Sequence, residues 1–485
     1  MDKLQIIQGT TKAVIKLDIQ HYCAPYIRSV TKDILTDYEW DVATHKRVPL
    51  RGFSYYNEKL KQLHIPINAM DYVLAALDEI GAEYTIEDEP TYPERSIDVK
   101  MRDDFVPKPE QGDIINYLAS TTPFRKGLAT ATGSGKTVST IAGLVKYGKA
   151  AIIIVSGLQD QWIRQLKLFT NIGNNVYLVQ GFQSLVKLME AEVKPAVIVF
   201  SLETLRLYVL RSNNYKLIPP FSVFLKYFGI GFKVMDEVHL NFHAQTLIDL
   251  NSNVSNNIYL TATFNASNIS TKKVLDLIYP PEMRYGENTF VKYIDVVCYT
   301  FRGEVPINAC MRQRGYMHTK YERHLLKKKY ALDRYFNTIL MIIIQEQYIL
   351  KRKPGDKMLI YFARTSMVEV AHQWFTKNFP NLISEIYIGG VKDTVLEKAD
   401  ILISTPQKGG TGTDIKNLLF VLNTVSFKTA VSTEQLRGRL RQLKDGRTPT
   451  YGELVDTNIP AQDRHRITRS YVHKRSAKTY TITRL

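Results

Sequence analysis

Two short stretches of this chain carry residue types that could work on a phosphate. The first is Thr130-Ala131-Thr132-Gly133-Ser134-Gly135-Lys136-Thr137. Glycines let such a loop curl until its backbone N–H groups point inward at an anion. A helix opening at Lys136 adds its positive N-terminal dipole to the same place. In this pattern Lys136 reaches β- and γ-phosphates and Thr137 offers its hydroxyl to Mg²⁺. Thr130 stands where the pattern usually has Gly or Ala. A glycine-rich turn with no ligand is the plainer meaning, and the full Gly-x-Gly-Lys-Thr before a helical run disfavours it. The second stretch is Phe232-Lys-Val-Met-Asp236-Glu237-Val238-His239, an apolar strand ending in two adjacent carboxylates. Asp236 suits a Mg²⁺ shell, and Glu237 suits orienting a water and accepting its proton. A helix cap is the alternative, weakened by the phosphate loop upstream. Gln111, just before that loop, has an amide that can pair acceptor to N6–H and donor to N7 of an adenine edge.

These residues need a frame. Lys126 to Thr130 leads into the loop, and the helical run Val138 to Val145 leads out. Ala150 to Val155 and Ala196 to Phe200 are continuous apolar runs of strand length, as expected of parallel strands buried on both faces. Ligands of open α/β sheets bind at the C-terminal ends of such strands. There stand Gln161 and Trp162 after the first strand and Thr204 after the second. These ends suit a phosphate backbone held by polar side chains and helix N-termini, although core or capping roles are the commoner meaning of such residues. Ile258 to Leu260 ends in Thr261-Ala262-Thr263, whose hydroxyls can hydrogen-bond the acidic pair. The aromatic and basic run between Tyr208 and Gly231 reads as a nucleic-acid-facing insertion or as a long connection. Farther on, the basic segment Lys320 to Tyr330, with Lys327-Lys328-Lys329, leads into a helix through Ile349 that Pro354-Gly355 ends. Strands at Lys357 to Phe362, Ile401 to Thr405 and Leu418 to Leu422 alternate with helical runs and imply a second parallel sheet. Arg364 and Thr405 stand at the ends of two of them. The glycines of Gly409-Gly410-Thr411-Gly412-Thr413-Asp414 permit a tight backbone approach, with Asp414 fixing the loop. The basic stretch Arg464 to Leu485 reads as the last helix and strand.

With 485 residues, several domains are expected. The apolar share of 45% is enough for sizeable cores. The 64 Lys and Arg against 47 Asp and Glu leave a net charge of +17, which favours a polyanionic partner, nucleic acid or an anionic membrane, over a merely solvated surface. Cys23, Cys298 and Cys310 are scattered, so neither a disulfide framework nor a Cys-rich metal site is expected. The opening residues lack a signal-peptide core, and the longest apolar run is too short to span a bilayer. The expectation is a soluble, cytoplasmic protein. Residues 1–100 read as a small α+β unit in which Arg28, Lys32, Lys46, Arg47 and Arg51 interleave with Tyr22, Tyr26, Tyr38, Trp40 and Phe53. That interleaving fits a DNA-contacting surface and equally a tyrosine-rich core with charged rims.

Taken in order, Gln111, Thr132 to Thr137, Asp236-Glu237-Val238-His239 and Thr261-Ala262-Thr263 resemble the motifs of superfamily 2 helicases of the Asp-Glu-x-His type. The resemblance covers about residues 105–485. Gly409 to Ile415 resembles motif V, which touches nucleotide and nucleic acid. Gln435-Leu436-Arg437-Gly438-Arg439-Leu440-Arg441 resembles motif VI, in which an arginine reaches the γ-phosphate. The family pattern ends on an arginine where this chain has Gln442, with Arg441 one residue early, so Arg439 is the expected finger and Arg441 the secondary one. The resemblance implies an α/β fold: two tandem RecA-like lobes with parallel sheets, 101–300 and 326–485, joined by a linker 301–325 and preceded by the small domain 1–100. It implies catalysis by Glu237, Lys136, Arg439 and Arg441. ATP would be held by Gln111, Thr132, Gly133, Ser134, Gly135, Lys136, Thr137, Asp236, Gly412 and Asp414, with Mg²⁺ on Thr137 and Asp236. Coupling would run through His239, Thr261, Thr263 and Gln435. Nucleic-acid contacts would fall on Gln161, Trp162, Thr204, Arg364, Thr405 and Thr411. The compact layout looks most like phage recombination helicases of the UvsW type, and the XPB-like branch shares it. The implied work is ATP-driven remodelling of branched DNA by a monomer in the cytoplasm of a cell, the infected host for a phage, beside recombination or replication proteins. An RNA helicase and a restriction-type translocase subunit are the alternatives.

Overall fold

The computed structural model describes residues 3–485 apart from 42–45, 131–134, 215–217, 263, 265, 267–268, 287–291, 313–314, 390, 392–393, 410–414, 428–432, 434–435 and 444. The chain divides into two units, Met1–Thr289 and Phe290–Leu485.

The first unit opens with β1 (Leu4–Gln8), β2 (Lys12–Lys16), α1 (Ala24–Ile34), β3 (Thr36–Asp41), β4 (Lys46–Gly52), β5 (Tyr55–Asn57), β6 (Gln62–Pro66), α2 (Met70–Glu79) and β7 (Tyr84–Asp88). Five of these strands form a mixed sheet in the order β5-β6-β2-β1-β7, and β3 and β4 form a separate hairpin. Helices α3 (Pro109–Ala119), α4 (Lys136–Tyr147), α5 (Gln159–Phe169), α6 (Phe182–Glu190), α7 (Leu202–Asn214), α8 (Phe221–Phe228), α9 (Phe242–Asp249) and α10 (Ile269–Ile278) then alternate with parallel strands. The strands are β8 (Arg125–Ala129), β9 (Ala151–Val155), β10 (Val176–Val179), β11 (Val197–Ser201), β12 (Phe232–Met235), β13 (Asn256–Thr261) and β14 (Arg284–Tyr285). Among the described residues this sheet runs β10-β11-β9-β12-β13-β8-β14, every pair parallel. β9, β12 and β13 are buried at every position, as a sheet covered on both faces requires.

The small N-terminal sheet packs directly on the first parallel sheet. One hydrophobic cluster runs from Leu4, Ile6 and Ile65 through Tyr92 to Ile152, Phe200 and Tyr259. Polar contacts cross the same seam. The Thr10 N–H donates to Asn253 Oδ1 at 2.7 Å, and Thr11 Oγ1 donates to the Asp249 carbonyl at 2.9 Å. The aromatic residues of this region divide between packing and surface. Phe53 is buried, Tyr56 donates to the Leu17 carbonyl at 2.9 Å and carries the Arg28 guanidinium on its ring, while Tyr22 and Tyr26 are exposed. The run between Tyr208 and Gly231 is likewise internal in large part: Tyr208, Phe221, Phe224, Leu225 and Phe228 are buried against the core. An amphipathic helix, α8, accounts for its aromatic composition.

The second unit contains β15 (Asp295–Phe301), the short pair β16 (Met311–Arg312) and β17 (Gly315–Tyr316), and α11 (His318–Lys327). It continues through α12 (Lys329–Arg334), a π-helical stretch Tyr335–Leu340, α13 (Met341–Ile344) and a second π-helical stretch Gln345–Ile349. β18 (Lys357–Tyr361), α14 (Thr365–Asn378), β19 (Ser384–Tyr387), β20 (Ile401–Ser404), β21 (Leu418–Asn423), β22 (Thr450–Asp456), α15 (Pro460–Ser476) and β23 (Thr479–Arg484) complete it. Among the described residues its sheet is again seven-stranded and parallel, in the order β19-β20-β18-β21-β22-β15-β23. The expected boundaries differ here. β15, placed by the sequence in the first lobe, pairs with β22 and β23 of the second sheet, and residues 301–325, expected as a linker, hold β16, β17 and most of α11. Among the described residues no helix is long and apolar enough to cross a membrane.

Candidate functional site

Strand order assembles the first unit's site. The phosphate loop leaves β8, Thr261 ends β13, Asp236 follows β12 and Ser156 follows β9, and these four strands are neighbours whose C-terminal ends point the same way. That edge is where open α/β sheets bind ligands.

Residues 131–134, hence Thr132, Gly133 and Ser134, lie outside the described residues. Gly135 closes the loop at φ +88°, a left-handed conformation that favours glycine, and a Cβ there would lie 2.3 Å from Gln111 Nε2. Gln111 is buried, and its Oε1 accepts from the Lys108 N–H at 2.9 Å as part of the α3 capping box. One end of this amide therefore fixes its own helix and the other lies against the phosphate loop. α4 begins at Lys136, as the loop-to-helix pattern requires, with Thr137 in its first turn. Lys136 Nζ donates to the Thr130 carbonyl at 2.8 Å.

Asp236 is held from two sides. Its Oδ2 accepts from the Trp162 indole N–H at 2.8 Å and its Oδ1 from the Glu237 N–H at 2.9 Å. Burial, then the neighbouring Glu237 charge, push its carboxyl up to about 6 against the opposing pull of Trp162 and Lys136. Each oxygen keeps a second acceptor position. A buried carboxylate in that state fits a hard dication, which would restore its charged form. Among the described residues no group of three or more His, Cys, Asp or Glu gathers to hold a metal alone. If Mg²⁺ binds here, Asp236 and Thr137 would hold it, and it would supply charge neutralisation.

Glu237 has φ +51°, rare for a side chain of this kind and costing about 1–3 kcal/mol. Its Oε2 is buried and makes no aligned hydrogen bond among the described residues, although His239 Nδ1 is 3.3 Å away. His239 Nδ1 also lies 2.8 Å from Thr261 Oγ1. Burial, then the Lys136 charge, hold the imidazole down at about 4, so it is neutral at pH 7. Thr261 thus meets the acidic pair through His239 rather than directly, and Thr263 lies outside the described residues. Gln245 of α9, which the sequence reading did not single out, is buried and donates to the Leu240 carbonyl at 3.3 Å, bracing the turn after the acids.

Trp162 requires a correction. Expected at nucleic acid, it is 1% exposed and spends its N–H on Asp236. The helical register of α5 turns its ring into the core. Gln161 is half-buried on α5, and Thr204 Oγ1 accepts from the Gly181 N–H at 2.9 Å.

In the second unit, Arg439 is buried and near enough to Tyr361 for its charge to oppose the upward push of burial on that hydroxyl. Arg441 donates to the carbonyls of Gly438 and Leu440, its own loop. Arg364 caps α14 and is half-buried. Its N–H and that of Ala363 donate to Glu322 Oε2 and Oε1 at 2.8 and 2.7 Å. Thr405 follows β20 and is half-buried. Thr411, Gly412, Asp414 and Gln435 lie outside the described residues.

No protein-family model matches the chain, and no curated protein matches it. Among solved structures it is similar to S. cerevisiae Dbp5 bound to RNA and ADP BeF3, with 16% identity and a TM-score of 0.51 over 78% of this chain and 90% of that one. The crystal structure of T4 UvsW aligns over the whole of both chains at 14% identity, with a TM-score of 0.36. The likeness to Dbp5 is one of fold: two RecA-like lobes, here preceded by a small mixed sheet.

Proposed function

We propose that this chain is a nucleic-acid-stimulated ATPase that moves on DNA and remodels branched molecules such as forks and four-way junctions. The observation that carries the chemistry is Glu237: a strained carboxylate whose buried Oε2 makes no aligned hydrogen bond among the described residues, next to Asp236 and at the edge where the phosphate loop ends. Such an oxygen is an acceptor for the proton of an attacking water.

In this reading Lys136 exchanges the Thr130 carbonyl for phosphate oxygens when ATP binds, and Gln111 presents its amide to the base. Thr137 and Asp236 hold Mg²⁺, which supplies charge neutralisation on the phosphates. Glu237 orients the water and takes its proton. His239 and Thr261 sense the Glu237 side chain and carry its state to the end of β13. Arg439 is the arginine assigned to the γ-phosphate, and Arg441 supports its loop. Arg364, Thr405 and Thr411 are assigned to the nucleic-acid backbone, with Gln161 and Thr204 as further candidates. The motif order supports the helicase assignment. The choice of DNA and of branched substrates rests on the resemblance to phage recombination helicases.

The test is Glu237→Gln. ATP and nucleic-acid binding should persist while turnover falls about a hundredfold to ten-thousandfold, the usual worth of a positioned general base. Turnover within a few-fold of the parent would remove Glu237 from this role.

A further inference from the structure

The positive charge is not spread evenly. Residues 1–289 hold 31 Lys and Arg against 30 Asp and Glu, whereas residues 290–485 hold 33 against 17. Nearly the whole excess lies in the second unit, and its densest exposed run is the corner between α11 and α12. Arg323, Lys327, Lys328 and Lys329 are exposed there, and Tyr330 is 73% exposed. Lys328 leaves the helical region (φ −118°, ψ 93°), which makes the corner. Nearby acids do not neutralise it. Glu322 faces inward, Glu304 pairs with Arg334 at 3.0 Å, and Asp333 alone is exposed within a turn of Lys329.

The helix that leaves this corner fixes where it stands. Near its far end, the Tyr348 hydroxyl lies 2.8 and 3.0 Å from the carbonyls of Asp356 and Asp400, the residues just before β18 and β20. That is the N-terminal edge of the sheet. A few turns earlier, the Tyr335 ring packs 6.1 Å from Phe301, the last residue of β15, and the Phe336 ring 6.2 Å from Phe362, just after β18. That is the C-terminal edge. Lys329 lies six residues before Tyr335, so at 1.5 Å per residue it stands about 9 Å beyond this edge. α11 is tied to the same edge by Glu322, whose carboxylate caps α14 through the Ala363 and Arg364 N–H groups.

We propose that this corner is a nucleic-acid clamp on the second unit. Lys327, Lys328 and Lys329 would neutralise backbone phosphates and Tyr330 would stack on an unpaired base, above the strand ends that carry Arg364 and Thr405. The proposal rests on the nucleic-acid reading of the previous subsection and adds a site outside its motifs. Clustered ammonium groups that make no ion pair among the described residues match a polyanion, and an exposed aromatic beside them matches an unstacked base.

The test uses the full chain and two variants, Lys327→Ala/Lys328→Ala/Lys329→Ala and Tyr330→Ala. Binding to single-stranded DNA, a synthetic fork and vesicles of anionic lipid is measured from 50 to 200 mM salt. ATPase without nucleic acid and thermal melting serve as folding controls, and both should be unchanged because these side chains are exposed. The triple variant should lose about tenfold or more in DNA affinity, and its log–log salt slope should shrink by about two to three, the share of three phosphate contacts. Tyr330→Ala should weaken single-strand binding about fivefold to a hundredfold with the slope intact. A parent that binds DNA together with a triple variant of equal affinity and slope would overturn the clamp and leave the ATPase reading standing. A parent that binds no nucleic acid would overturn both. Loss of vesicle binding alone would reassign the corner to anionic membrane and overturn the clamp.

Discussion

Trp162 opposes the cost of burying the Asp236 carboxylate. The indole N–H is a fixed donor to a buried carboxylate whose charge is otherwise disfavoured. A hydrogen bond to a charged group is worth about 1.5–3 kcal/mol. Trp162→Phe keeps most of the ring volume and removes that donor. The Mg²⁺ concentration for half-maximal ATPase should rise about tenfold, with turnover at saturating Mg²⁺ changed only a few-fold. Lower nucleic-acid affinity with an unchanged Mg²⁺ requirement would favour the surface role read from the sequence. The residue-level signals were legible to different degrees. Lys136, Asp236 and Glu237 announce themselves because few other arrangements explain glycines before a lysine or two acids after a buried strand. Trp162 did not, since an indole after a strand has the same signature whether it faces a base or a carboxylate. The φ of Glu237 was not legible either, because nothing in Asp-Glu-Val-His encodes a left-handed turn. Buried histidines add a pH dependence. His64 on β6 is held down at about 4 by burial and by the Lys12 charge, and His318 on α11 at about 3 by burial and nearby cations. Their unfolded values lie near 6.5, so between about 6.5 and 4 the unfolded chain binds protons that the folded chain refuses. Stability is full above that window and is lost as pH falls through it. His64→Leu should flatten the slope of unfolding free energy against pH below 6.5 by up to about 3 kcal/mol over the window. An unchanged slope would show that His64 does not titrate on unfolding.

At the scale of elements, β12 decides where the two acids stand, and it is anchored from within. Lys233 Nζ, wholly buried, meets Asp249 Oδ1 and Ser252 Oγ, both at 2.6 Å. Asp249 Oδ2 also accepts from the Tyr259 hydroxyl at 2.9 Å on β13. The strand that carries Asp236 is thereby tied to the end of α9 and to the neighbouring strand. Removing one partner of a buried ion pair strands the other and costs about 3–5 kcal/mol. Lys233→Met should destabilise the first unit by about that amount, read as a lower denaturant midpoint, whereas Lys233→Met/Asp249→Leu should recover part of it. A single variant as stable as the parent would show that the pair is not an anchor. Continuous apolar strands and the alternation of strand and helix were readable from the sequence. Sheet membership was less so: β15 is an apolar strand with no mark of which sheet it joins, and only its pairing with β22 and β23 places it.

At the scale of the whole molecule, the chain divides its labour by composition. The first unit carries the phosphate loop, both acids and almost no net charge, and the second carries the excess of cations. The N-terminal sheet shares one core with the first parallel sheet, so its removal would open that core rather than detach a binding module. This shows why residues 1–100 looked independent in sequence: turn-rich linkers signal a boundary, while a shared core leaves no local mark. The two-lobe fold followed from strand and helix alternation, whereas the preferred polymer is a property of surfaces that strand patterns do not encode. In the function proposed above, ATP turnover answers to nucleic acid. That dependence is tested most directly by steady-state ATPase of the full chain at fixed low salt, with no polymer, single-stranded DNA, duplex, synthetic fork, four-way junction and RNA in parallel. Low basal turnover and strong stimulation by forks and junctions, falling steeply as salt rises, are expected. Stimulation by RNA alone, or by none of the polymers, would contradict that function.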